Sequence, residues 1–130
     1  MKPSSAKAKG RRLQNKICKA LSRITGIPWG PDCEIAPREM GQKGVDVRLV
    51  GRARELVPIS FEAKNQERWN INKFVKQAKE QAYEDTYWAV VVSKNRQKSP
   101  YVIVDFDFFF YVLLKCWIDK RKNCCIKEEK

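Results

Sequence analysis

The chain has 130 residues, 43% of them apolar, and carries 27 Lys and Arg against 15 Asp and Glu, a formal net charge of +12. That composition allows one buried core and excludes wholesale disorder, while the basic excess favours a polyanionic partner, nucleic acid ahead of an anionic membrane surface. With no histidine at all, a Ser-His-Asp triad, a His-Glu-x-x-His zinc site and histidine-based phosphodiester chemistry are excluded, and the lack of a Gly-x-x-x-x-Gly-Lys-[Ser/Thr] loop argues against a nucleotide cofactor.

Residues 1–8 read as a flexible basic arm, and nothing in residues 1–12 has the apolar centre of a signal peptide. From Lys9 onward Leu13, Ile17, Leu21 and Ile24 recur at helical spacing, and Gly26 followed by Pro28 closes the element. The opposite face carries Arg11, Arg12, Lys16, Lys19 and Arg23. All precede the first acid, Asp32, so this face suits phosphate contacts as well as plain solvation.

Residues 29–44 are rich in Pro and Gly and read as loop, with a short strand over Cys33–Ala36. The piece Pro37–Gly44 is read as a turn that feeds the next strand. There Val45, Val47 and Leu49 alternate with Asp46 and Arg48. In a further strand Ile59, Phe61 and Ala63 alternate with Ser60, Glu62 and Lys64. Gly51–Val57 between them has room for one helical turn.

A second amphipathic helix is expected over Ile71–Glu84, with Ile71, Phe74, Val75, Ala78 and Ala82 as its buried stripe and Gln77 at the margin. Trp88–Ser93 is an apolar run of strand length, Lys94–Pro100 a basic turn, and Tyr101–Asp105 another strand. Phe106–Ile118 reads as a last helix whose aromatics belong to the core rather than to a base-stacking surface, followed by a charged tail over residues 119–130. The longest apolar run, Phe108–Leu114, is too short to cross a bilayer, so no membrane partner is expected. Cys18, Cys33, Cys116, Cys124 and Cys125 lack Cys-x-x-Cys spacing and read as reduced thiols of a cytoplasmic protein. The whole order describes one α/β domain over residues 9–118, with a mixed central sheet flanked by helices.

The chemistry lies in Asp46, Glu62 and Lys64. Two carboxylates ~4 Å apart on neighbouring strands repel by about 4 kcal/mol at an effective dielectric of ~20. A divalent cation relieves that cost, and two carboxylates with a backbone carbonyl suit Mg²⁺ or Mn²⁺. Lys64, ~6.7 Å along the same face from Glu62, adds a point charge that can orient a water or stabilise a phosphate. Such a set fits metal-assisted phosphodiester hydrolysis. The competing readings are a basic nucleic-acid-binding module in which the three residues form surface ion pairs, and an RNA-binding component of a ribonucleoprotein.

The segments Gly44-Val-Asp46 and Ser60-Phe-Glu62-Ala-Lys64 resemble the core signature of the PD-(D/E)XK nuclease superfamily, the restriction-endonuclease-like fold. Lys9–Gln14, Met40–Asp46, Glu62–Glu67 and Ser93–Arg96 are similar to small phage-encoded nucleases related to Holliday-junction resolvases. The resemblance implies an αβββαβ core and Mg²⁺-dependent DNA cleavage, with branched or junction DNA as substrate. It implies Asp46 and Glu62 as metal ligands, a further metal contact from the Ala63 carbonyl, Lys64 as the catalytic lysine and Gln77 as an accessory residue. Contacts to DNA fall to Arg11, Arg12, Lys16, Lys43, Lys94 and Arg96. Related resolvases are dimers, and a symmetric junction needs two centres, so a homodimer is compatible with the resemblance although the sequence shows no interface. Two departures stand out. Val45 replaces the usual proline, and Gln14 stands where archaeal-type resolvases carry a metal-site glutamate.

Overall fold

The computed structural model describes residues 3–38, 44–95 and 97–128, with side chains described over 7–38, 44–95 and 97–124. Residues 39–43, which include Met40 and Lys43, and separately Arg96 lie outside the described residues. The elements run α1 (Pro3–Thr25), β1 (Ile35–Pro37), β2 (Val47–Leu49), α2 (Gly51–Leu56), β3 (Ile59–Asn65), α3 (Ile71–Gln81), β4 (Tyr87–Ser93) and β5 (Tyr101–Val104). The chain then passes from α4 (Phe106–Phe108) through a π-helical stretch (Phe109–Leu114) into α5 (Lys115–Glu128). This is the expected α/β order, with α2 inserted between the second and third strands.

Helix α1 begins at Pro3 rather than Lys9, so most of the expected arm is helical. Proline is tolerated in a first helical turn, and the alanines and lysines that follow are good helix formers. The helix stops where Gly26, at φ 77°, takes the left-handed conformation and donates its N–H to the Ser22 carbonyl at 2.9 Å. Leu13, Ile17, Cys18 and Leu21 are buried against Ile35, Val47, Leu49 and Val91. Each of the large aliphatic side chains contributes about 2 kcal/mol by burial. Ile24, expected in the same stripe, is 75% exposed because it lies in the last turn, beyond the sheet.

Strands β1 and β2 pair antiparallel, while β3, β4 and β5 form a mixed sheet with β3 parallel to β4 and β4 antiparallel to β5. The two sheets meet where the Asp46 N–H donates to the Phe61 carbonyl at 3.2 Å. Helix α3 makes the crossover from β3 to β4. Asn70 caps it, its side-chain oxygen accepting from the Lys73 N–H at 3.1 Å. Its buried Phe74 and Ala78 pack on Val90 and Val92, whereas Val91 faces the α1 side. The three-stranded sheet is therefore covered on both faces, as a parallel pair requires. At Gly51 both space and backbone demand glycine. Its φ is 57°, and a Cβ there would sit 3.0 Å from the Glu34 carboxylate that accepts the Ala53 N–H and so anchors α2.

The last helix corrects the expectation of an aromatic core face. Among its described aromatics only Phe108 is buried, stacked on Tyr87 with ring centroids 4.3 Å apart. Phe106, Phe109, Phe110, Tyr111, Leu113, Trp117 and Ile118 are exposed, and the helix runs past Ile118 to Glu128, through residues expected as a tail. Helical periodicity identifies an apolar face, but it does not say whether the same chain covers it. Among the described residues, no helix is long and apolar enough to cross a membrane.

Candidate functional site

The register of the parallel pair positions the site. Glu62 lies beside Val90 and Lys64 beside Val92, so both charged residues face α3 while Phe61 and Ala63 face α1. Glu62 is 3% exposed, far more buried than an isolated carboxylate tolerates. Lys64 brings Nζ to 3.4 Å from Glu62 Oε1 and to 5.7 Å from the centre of the Phe74 ring. The lysine is thus held between a carboxylate and the face of an aromatic ring.

Asp46 enters from the other sheet, just ahead of β2. It is 4% exposed, and its Oδ2 accepts the Ala63 N–H at 2.7 Å. The backbone bond to Phe61 and this side-chain bond fix the carboxylate against the edge of β3. Its Oδ1 lies 3.3 Å from Arg38 Nη2, and Arg38 also donates to the Gly44 carbonyl at 3.2 Å. Arg11 in turn donates to the Arg38 carbonyl at 3.0 Å, tying the basic helix to the site.

Glu62 bears the electrostatic cost of this arrangement. Burial first, and the neighbouring Asp46 carboxylate second, push its pKa from 4.5 up to about 7, against the opposing pull of Lys64. Its Oε2 is buried and has no hydrogen-bond partner. A buried carboxylate oxygen left without a donor, beside a second carboxylate, is the arrangement a divalent cation relieves. Asp46 and Glu62 therefore fit such an ion. Among the described residues no group of three or more His, Cys, Asp or Glu could hold one, so the remaining ligands would be backbone carbonyls or waters.

The other residues singled out by the sequence divide into groups. Gln77 is half-buried on α3 and makes no hydrogen bond to Asp46, Glu62 or Lys64; Gln14, half-buried on α1, makes none either. Arg12, Lys16 and Lys94 come together, lining with Lys9, Asn65 and Asn95 a cleft of about 310 Å³. The cleft adjoins the carboxyl ends of β3 and β4, where open α/β sheets present ligand sites, and Asn65 directly follows Lys64. Lys16 is held there by a 2.8 Å bond from its Nζ to the Lys98 carbonyl. Arg11 does not reach the cleft, because its guanidinium is engaged with Arg38. Lys43 and Arg96 lie outside the described residues.

Sequence reasoning missed Arg38 and Phe74 as parts of the site. The signal for Phe74 was present, since it lies in the apolar stripe of the helix after the acid-x-lysine strand and is one of the two residues of that helix that are buried, with Ala78. Arg38 carried none, for it is one basic residue among many in a basic chain.

No curated protein and no solved structure matches the chain. One family model does, over residues 5–120, from α1 through the first turns of α5. That family is described as "Phage putative PDDEXK endonuclease", and the acid-x-lysine strand with its partner acid sits inside the match, so the chain belongs to this family of nucleases.

Proposed function

We propose that the protein is a divalent-metal-dependent DNA endonuclease acting on branched or otherwise distorted duplexes. The observation that carries this reading is the buried, unpartnered Oε2 of Glu62 beside Asp46, with the Lys64 ammonium against the same carboxylate. In this reading Asp46, Glu62 and the Ala63 carbonyl would hold Mg²⁺ or Mn²⁺. A bound ion would supply Lewis acidity toward the scissile phosphate and would lower the pKa of the attacking water. Lys64 places its positive charge where negative charge develops on the phosphoryl oxygens. Phe74 limits where that ammonium can go, and Gln77, on the same helix, is an accessory contact to substrate. Arg12, Lys16 and Lys94 hold the neighbouring backbone phosphates in the basic cleft. Contacts of this type position a duplex without reading bases, which favours recognition by shape.

Because each acid also has a cation partner, Arg38 for Asp46 and Lys64 for Glu62, a non-catalytic nucleic-acid-binding module is the second reading. One experiment separates the two. Linear, nicked, flapped and four-way DNA are incubated with protein, with and without Mg²⁺ or Mn²⁺, beside Glu62→Ala and Lys64→Ala. The nuclease reading expects cleavage that needs the metal and is lost in both variants while binding persists. Cleavage by the variants at the wild-type rate would move the centre elsewhere. Binding without cleavage under any metal would favour the second reading.

A further inference from the structure

A pair of aromatic rings stands at the carboxyl ends of β3 and β4, beside the basic cleft. Trp69 and Tyr101 meet at 84°, with ring centroids 5.8 Å apart. Trp69 is half-buried and fixed, its Nε1–H donating to the Gln66 carbonyl at 2.8 Å with the Ser93 carbonyl at 3.3 Å. Tyr101 is 62% exposed. Rings set at right angles do not cover each other's faces, so a flat face of Tyr101 is open to solvent.

An exposed tyrosine on an outer strand is by itself ordinary, because aromatic residues suit strands. Three relations set this one apart. Lys94 lines the cleft and also places its Nζ 5.1 Å from the centre of the Trp69 ring. Pro100, the residue before Tyr101, lines the cleft as well. The strand register aligns Lys64, Val92 and Tyr101 in one row across β3, β4 and β5. Two strand spacings, ~10 Å, thus separate the Tyr101 and Lys64 backbones, about three nucleotides of a stacked strand at ~3.4 Å each. The surroundings are already ordered. Glu67 Oε1 accepts the Asn95 N–H at 2.8 Å, and Gln97 Oε1 accepts the Lys94 N–H at 2.9 Å. A ligand meets these groups without first having to fix them.

We propose that Tyr101, backed by Trp69, is a stacking site for one unpaired base of a DNA strand whose phosphates lie in the basic cleft. The proposal rests on the reading of the chain as a DNA nuclease and adds what makes a distorted duplex recognisable. Phosphate contacts fix position on the strand and carry no such information. A base inside a duplex has both faces covered by its neighbours, so the open ring selects a base that is already out of the stack. Every base has a π face, so stacking here discriminates structure and not sequence. Lys94 joins the two parts, its charge available to the phosphate next to the stacked base.

The test measures binding by the full chain in the presence of a chelator, so that no strand is cut. Two probes with the same number of phosphates serve, one a fully paired duplex and the other carrying a short single-stranded flap. Tyr101→Val keeps a strand-forming residue and removes the ring. It is expected to weaken flap binding at least ~5-fold and duplex binding less than ~2-fold. Tyr101→Phe is expected to bind both probes like wild type. The salt dependence of flap binding is expected to keep its slope in Tyr101→Val, because stacking releases no counterions. Equal weakening on both probes, no weakening on either, a changed slope or a loss in Tyr101→Phe overturns the stacking site and leaves the cleft's part in duplex binding intact. A wild-type chain that binds neither probe overturns the stacking site and the DNA reading together.

Discussion

Arg38 and Asp46 form an ion pair at 3.3 Å, with Arg38 about a third exposed and Asp46 buried. The guanidinium therefore competes with any cation that the carboxylate would hold. Replacing Arg38 by Gln is expected to tighten binding of Mn²⁺ several-fold, read by calorimetry on the apoprotein, because a like charge is removed from beside the site. Weaker binding would mean instead that Arg38 serves mainly to hold Asp46 in place.

Glu62 gives the apoprotein a pH dependence of defined sign. Its pKa is raised by burial and by Asp46 from 4.5 to about 7, so between these values the folded state holds a proton that the unfolded chain has released. Stability is then highest below the window and falls as pH rises through it, by about 3 kcal/mol in all. Urea unfolding in the presence of a chelator should show a lower midpoint at about pH 8 than at about pH 5, and Glu62→Gln should remove most of that difference. An unchanged difference in the Gln variant would assign it to other groups.

Phe74 joins the core to the site, being buried under Val90 and Val92 and facing the Lys64 ammonium. Phe74→Ala should cost about 3–5 kcal/mol in unfolding free energy. Phe74→Leu, which keeps much of the volume but not the ring, should cost less than half as much. If Leu also lowers cleavage markedly while the fold stays intact, the ring contact to Lys64 matters to the chemistry; if cleavage is unchanged, Phe74 is core alone.

The basic cleft and the Arg11 contact make separable predictions. Arg12→Ala with Lys16→Ala should lower the slope of log binding constant against log salt by up to ~2, about 0.9 for each phosphate no longer neutralised. Arg11→Ala should leave the slope nearly unchanged, since Arg11 bonds to the Arg38 carbonyl and not to the cleft. Filter binding of one duplex over a salt series decides both.

Cys18 should resist alkylation in the folded protein, because it is fully buried and burial pushes its pKa up to about 11. Cys116 and Cys124 are exposed free thiols and should react first. Mass spectrometry of partially alkylated protein would show Cys18 modified only after unfolding, and early modification would contradict its burial.

The sequence by itself determined what depends on short separations. The period of 3.6 marked α1 and α3, the run Trp88–Ser93 marked β4, and the period of two put Glu62 and Lys64 on one face of β3. These are properties of neighbours along one element, so local geometry suffices. The tertiary structure alone decided the relations between distant segments. Asp46 meets β3 through its bonds to Phe61 and Ala63 rather than through a β2–β3 ladder, since β2 pairs with β1. Arg38 and Phe74 become partners of the site only when α3 and the β1–β2 pair close around it. The same limit explains the last helix. Its aromatic run from Phe106 to Trp117 reads as a packing face, but whether such residues lie inside or outside depends on where the rest of the chain goes, and among the described residues Phe108 is the last one buried.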